Sequence, residues 1–434
     1  MRESILTVLS PLSPVEVFSS LWEEEGAVLF ETQKPSLKER RSIIAFRPRK
    51  ILELEKAFSG SGFFKALEEA SKGFFCLGYL GYDLRLLVED LSDKNPSDID
   101  SPDAWIGAYD SVLLYDHFKR SWKVKETSQG DSPLIEEALR SHRKKDQDFS
   151  PFPISGLPVP NMNREDYFGA VIRAQDYIAE GDIYQLNFTQ RFSFQWNSSP
   201  WCLYLRLRET QPVPFGAFLN LGRQRFIISG SPELFFRVKN GTIVSRPMKG
   251  TIARGKGPGE DRFLRRELKR SEKDRAENVM ILDLMRNDLG KVSKPGSIEV
   301  TRLFSIEGYS TVYQMVSEVR GVLKEGVGLA DILTALFPTG SVTGAPKKRA
   351  CEIIEELEPN RRGLYTGAIG FIEPSGDMVF SVAIRTLSLS GNKGVLGVGG
   401  AIVADSKPER EYEESLLKAQ AAFRALGVNP ERRE

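Results

Sequence analysis

The sequence predicts an α+β layered sandwich. Three observations lead there. The length of 434 residues suits one large domain with a smaller companion. Residues 1–125 alternate short apolar runs with turns. From Arg164 onward, strand pairs alternate with helices but without the strict βαβ rhythm of a doubly wound sheet. No short-period repeat is visible.

The elements follow in order. "GAVLFETQ", "SIIAFRP", "FFCLGYLGYDL" and "GAYDSVLLYD" make residues 1–125 a strand-rich first lobe. Residues 126–163 are polar, charged and proline-rich and read as a linker, with one short helix near Pro133–Lys145. Residues 164–428 form the larger domain. Its first helix carries Tyr167, Val171, Ala174 and Ile178 on one face and closes at Gly181. Strand signals follow in "IYQLNFTQRFSFQW", "FGAFLNLG", "RFIISG" and "LFFRV", and then one long amphipathic helix over Asp261–Leu289, ending at Gly290. "TRLFSIEG" and "TVYQMVSEVRGVL" read as strands, "GLADILTALF" and "KKRACEIIEELE" as helices flanking the turn "PTGSVTGAPKKRA". The chain finishes with strands "YTGAIGFIE", "MVFSVAIRTLSLS" and "GVLGVGGAIVA" and a last helix in which Pro408 suits the first turn, with Asp405 or Ser406 as cap.

Composition narrows the function. Sixty basic and 59 acidic side chains nearly cancel, which argues against nucleic acid or a membrane surface as partner and favours a small molecule. Cys76, Cys202 and Cys351 lie far apart without metal or redox spacing, as in a reducing, cytoplasmic setting. No apolar run approaches the ~20 residues of a membrane helix, so the chain reads as soluble and unprocessed. Its two histidines, His117 and His142, stand in charged, loop-like surroundings and read as surface, which disfavours Ser-His-Asp or Cys-His catalysis.

Four places could carry chemistry. Glu411 and Glu414, three apart on a helix, repel each other unless a hard cation lies between them; they read equally as a solvated acidic first turn. Glu277 borders an apolar stripe made by Ala276, Val279, Met280 and Leu284. It either completes an oxygen-only, magnesium-type site or pairs with Lys273 or Arg270. Arg385, in an otherwise apolar strand, needs an anion or an internal carboxylate. Gly397, Gly399 and Gly400 could let backbone amides approach that anion, or mark a bulge. Lys249, in "RPMKGTIARG", is either a solvated edge charge or, with a depressed pKa, a nucleophile.

Eight segments, from "IAEGDIYQLNFTQRF" and "SPELFF" through "RPMKGTIARG", "DRAENVMILDLMRNDLGKV", "FPTGSVTGAPKKRACEIIEELEP", "LYTGAIGFI" and "SVAIRTL" to "GVGGAIVADSKPEREYEESLLKA", stand in the order and spacing of the chorismate-binding enzymes, which this chain resembles. The resemblance implies a large α/β/β/α sandwich. It implies Mg²⁺ held by Glu277 and Glu414, with Glu411 assisting, and gripping the ring carboxylate of chorismate. Arg385, Tyr365 and the backbone of Gly399, Gly400 and Ala401 would hold the enolpyruvyl carboxylate, Gly250 and Thr251 would line the substrate, and Thr343 would sit in the turn that closes over it. Glu233 would be the acid/base near the departing hydroxyl. Gln185 stands where water-adding members carry a lysine, and Lys249 where the anthranilate-forming branch carries a small residue. The resemblance therefore implies the branch that aminates chorismate at C4 to 4-amino-4-deoxychorismate, toward 4-aminobenzoate and folate, with ammonia from a glutamine amidotransferase subunit. Formation of anthranilate and pyruvate, or a non-catalytic tryptophan- or chorismate-binding role, are the alternatives. Glu31 and Thr32 of "VLFET" resemble a segment that lines a tryptophan pocket in relatives.

Overall fold

Two antiparallel sheets form the centre of the structure, a computed structural model that describes residues 2–6, 12–57, 62–97, 99–127, 154–309 and 312–428. The predicted helix near Pro133–Lys145 lies outside the described residues. The first sheet has 12 described strands and the second has ten.

Each sheet is covered on both faces. Between the sheets, Val28, Ile43, Tyr79, Trp105, Ala217, Ile227 and Ile369 form one core. Outside the second sheet, helices Phe63–Gly73, Glu272–Val292 and Leu329–Leu336 bury Leu67, Ile281, Leu282, Met285 and Leu333 against it. Outside the first, helices Pro200–Thr210 and Pro408–Ala425 bury Trp201, Leu203, Ala419 and Phe423. The result is the helix–sheet–sheet–helix order expected, in which strands such as Gln185–Gln195 are buried on both faces over most of their length.

The first lobe does not form sheets of its own. Strand Val28–Glu31 pairs with Phe215–Gly222 in the first sheet, and Phe75–Leu80 pairs with Ala368–Ile372 in the second. Within the stretch read as a linker, Ser155–Pro160 is a strand paired with Gln185–Gln195. Its prolines, Pro158 and Pro160, suit an edge strand that pairs on one side only, where a missing N–H need not break the ladder.

Four local expectations change. The single long helix is two, Pro258–Arg270 and Glu272–Val292. Ser271 leaves helical geometry (φ −56°, ψ 113°), and its hydroxyl accepts the Asp274 N–H, so it ends one helix and caps the next. Gly290 lies inside the second helix, which continues to Val292. The C-terminal helix has Lys407 at its cap position without a side-chain bond, while Ser406 Oγ donates to Glu411 Oε1 at 2.7 Å. His117 is half-buried, with Nε2 2.7 Å from Ser42 Oγ.

Candidate active site

The site lies where the chain passes between sheets. After strand Arg225–Ser231 of the first sheet, the chain enters the second at Leu234, and Glu233 sits at that crossing. After strand Met378–Val382 it returns to the first sheet at Thr386, and Arg385 sits at that second crossing. Arg385 is thus not inside a strand, as its apolar flanks suggested; it takes φ +52° at the break. The crossings are bonded to each other, Val382 N–H donating to the Glu233 carbonyl (3.0 Å) and Gly230 N–H to the Arg385 carbonyl (3.0 Å). An acid and a guanidinium therefore enter one space from adjacent backbone.

Lys249 reaches that space through a bulge. Strand Met248–Ala253 pairs with Val312–Val322 so that Met248 opposes Val316 but Thr251 opposes Gln314, which leaves one extra residue on the Lys249–Gly250 side. Gly250 takes φ +92°, open to glycine and strained for other residues. Such a bulge re-aims a side chain. Lys249 lines the cavity instead of standing on a solvated edge.

The cavity, of about 240 Å³, gathers Glu233, Lys249, Gly250, Thr251, Glu277, Tyr365, Arg385, Gly399, Ala401, Glu411 and Glu414 on its walls. Gly397 explains how Tyr365 fits, since a Cβ there would come within 2.2 Å of its ring. Gly400 lies just behind the wall, where a Cβ would stand 3.6 Å from Glu411 Oε2 and 3.8 Å from Glu414 Oε1. Thr343 is not on the wall: its hydroxyl turns inward to the Thr339 carbonyl (3.1 Å), and the preceding turn supplies Ser341 and Val342 in its place. Sequence reasoning also missed Lys418 and Asp274, both on the wall. Lys418 stands one helical turn after Glu414, a spacing that could have been read as an ion pair. Gln185 is buried with neither amide atom bonded among the described residues, and it is not on the wall.

The electrostatics suit acid–base chemistry on an anion. Burial raises the Glu233 carboxyl to about 7, against the opposing pull of the Ser341 hydroxyl and the Lys249 charge. Burial lowers the Lys249 pKa, and the Lys418 ammonium adds to the fall while Glu277 opposes it. Burial also brings Arg385 down to about 10, and its Nη1 is buried without a protein partner, an arrangement suited to an incoming carboxylate. Burial raises Glu277 and Glu411. Glu414 is lowered, chiefly by Lys418, whose Nζ lies 2.8 Å from its Oε1.

The donors are right in kind for a hard divalent cation, since the three glutamates offer only oxygen and Glu277 makes no hydrogen bond among the described residues. Among the described residues no three acidic, histidine or cysteine side chains are drawn together tightly enough to form a ligand set.

Glu31 and Thr32 lie elsewhere, on a separate cavity of about 430 Å³ between the sheets. The Glu31 carboxylate there accepts from Tyr204 Oη (2.5 Å) and Arg208 Nε (2.9 Å).

The chain is 38% identical over 384 residues to aminodeoxychorismate synthase component 1 of Bacillus subtilis, covering 85% of this chain and 81% of that one. It is 34% identical to anthranilate synthase component 1 of Aquifex aeolicus, covering 95% and 83%. The crystal structure of anthranilate synthase component I from Streptococcus pneumoniae superposes with a TM-score of 0.79 at 31% identity, covering 89% of this chain and 93% of that one. A family model described as chorismate binding enzyme matches residues 20–424, and the chain belongs to that family.

Proposed function

We propose that this chain aminates chorismate at C4, giving 4-amino-4-deoxychorismate, with Lys249 as the nucleophile that opens the reaction. The observation that carries the reading is the bulge that places a lysine with a lowered pKa in the same cavity as a glutamate raised to about 7. Arg385 and Tyr365 hold the enolpyruvyl carboxylate, the unpaired Nη1 of Arg385 supplying a donor. Neutral Lys249 adds at C2 as the ring double bonds shift and the C4 hydroxyl leaves as water with a proton from Glu233. Ammonia then adds at C4, the double bonds shift back, and the lysine amine is released from C2. Magnesium held by Glu277, Glu411 and Glu414 would neutralise the ring carboxylate and make C2 electrophilic.

The names of the relatives as "component 1" suggest a second component, which we read as a glutamine amidotransferase supplying ammonia. This chain offers no clear glutaminase nucleophile, since its three cysteines are buried and burial pushes the Cys76 thiol up to about 12. Among the described residues no helix is long and apolar enough to cross a membrane.

The test is Lys249→Ala, assayed with chorismate, Mg²⁺ and ammonium. Loss of aminodeoxychorismate formation by several orders of magnitude is expected, and undiminished formation excludes the covalent role.

A further inference from the structure

A second chamber of about 650 Å³ adjoins the catalytic cavity, and the two share Thr251, Arg385, Glu414 and Lys418 on their walls. Its outer wall is the exposed side of helix Pro408–Ala425, which contributes Arg410, Glu413, Leu417 and Arg424. Four cations line this chamber against two carboxylates. Lys418 and Glu414 pair at 2.8 Å, so the pair cancels. Arg410 and Arg424 are exposed and make no ion pair among the described residues. Their charge is left facing the path inward.

We infer that this chamber is the vestibule through which the substrate enters as a dianion, with Arg410 and Arg424 raising its local concentration before Arg385 takes it. The inference rests on the inner cavity being the chorismate site. A recess whose wall carries a net positive charge, as this one does with Glu413 subtracting from it, focuses that field along the recess. The same potential disfavours ammonium, so the second reactant passes as neutral ammonia. Arg410 and Arg424 touch no reacting atom; their part is long-range attraction, which salt screens within about 10 Å at ~0.1 M.

The experiment measures chorismate consumption and direct chorismate binding for Arg410→Gln/Arg424→Gln and for Glu413→Gln, at low and high ionic strength. At low salt the double arginine variant should lose about five-fold in kcat/KM for chorismate with kcat unchanged. Glu413→Gln should gain about two-fold, a sign that misfolding cannot produce. Both differences should vanish at high salt. Unchanged kcat/KM at low salt, a loss that persists at high salt, or a loss in both variants overturns the vestibule. Wild-type protein that neither binds nor consumes chorismate overturns the reading of the inner cavity, and the vestibule with it.

Discussion

Asn278 donates its side-chain amide to the main-chain carbonyl of Lys249 at 3.4 Å, tying the helix that carries Glu277 to the bulge that carries the lysine. The same amide reaches the Met315 carbonyl, and Ser317 Oγ donates to Asn278 Oδ1 from the neighbouring strand. Asn278 is fully buried, so every lost bond leaves a desolvated partner.

Asn278→Ala should lower folding stability by about 1–3 kcal/mol and kcat by about ten-fold or more through a displaced lysine. Denaturant unfolding and steady-state kinetics on the same preparation check both. A variant with wild-type kcat would show that the clamp does not position Lys249.

Glu233 sets an expected pH dependence. Its carboxyl, raised to about 7, must be protonated to release the hydroxyl, so kcat/KM should fall as pH rises through about 7. Lys249 must be neutral, and its lowered pKa brings that limb down toward the working range from the alkaline side. Glu233→Gln should abolish the limb near 7 and cost about 10²–10⁴ in rate. A limb near 7 that survives in the variant belongs to another group.

The same carboxyl links to stability. Its folded pKa lies above the ordinary 4.5, so the folded state holds the proton more tightly. Stability from this group is present below pH 4.5 and lost as pH rises to about 7, on the order of 3 kcal/mol. Glu233→Gln should therefore gain stability relative to wild type across that window, measured as the difference in Tm against pH. A constant difference would mean that Glu233 is not raised.

Neighbouring glycines separate folding from metal use. A Cβ on Gly399 would lie 2.3 Å from the Phe188 carbonyl, so Gly399→Ala should destabilise the sheet by about 1–3 kcal/mol. On Gly400 it would lie 3.6 Å from Glu411 Oε2, ordinary contact, so Gly400→Ala should fold normally yet need about ten-fold more Mg²⁺. Thermal melts and Mg²⁺ titration of activity distinguish the two. An unchanged Mg²⁺ requirement in Gly400→Ala would argue against a metal site at Glu411 and Glu414, and chelation should abolish wild-type activity.

The layered fold was legible because its signals are local: apolar runs of strand length, the stripe from Tyr167 to Ala174, and Pro408 opening the last helix. Pairings across long sequence distances were not, so the strands of the first lobe were separated from Phe215–Gly222 and Ala368–Ile372, to which they bond. The site residues themselves came mostly from the resemblance; pattern alone left Lys249, Glu277 and Arg385 undecided. What aims Lys249 is a register shift against Val312–Val322, visible only once two strands are set side by side. Arg385 was misplaced for a related reason, since "SVAIRTL" stays apolar while it changes sheets. Thr343 and Ser341 share one turn, and composition cannot say which of two hydroxyls faces the cavity.

The central claim is amination at C4 with the enolpyruvyl group retained. Its most direct test is mass identification of the product that purified chain makes from chorismate, Mg²⁺ and ammonium. The expected result is 4-amino-4-deoxychorismate without pyruvate release. Anthranilate together with pyruvate would contradict it.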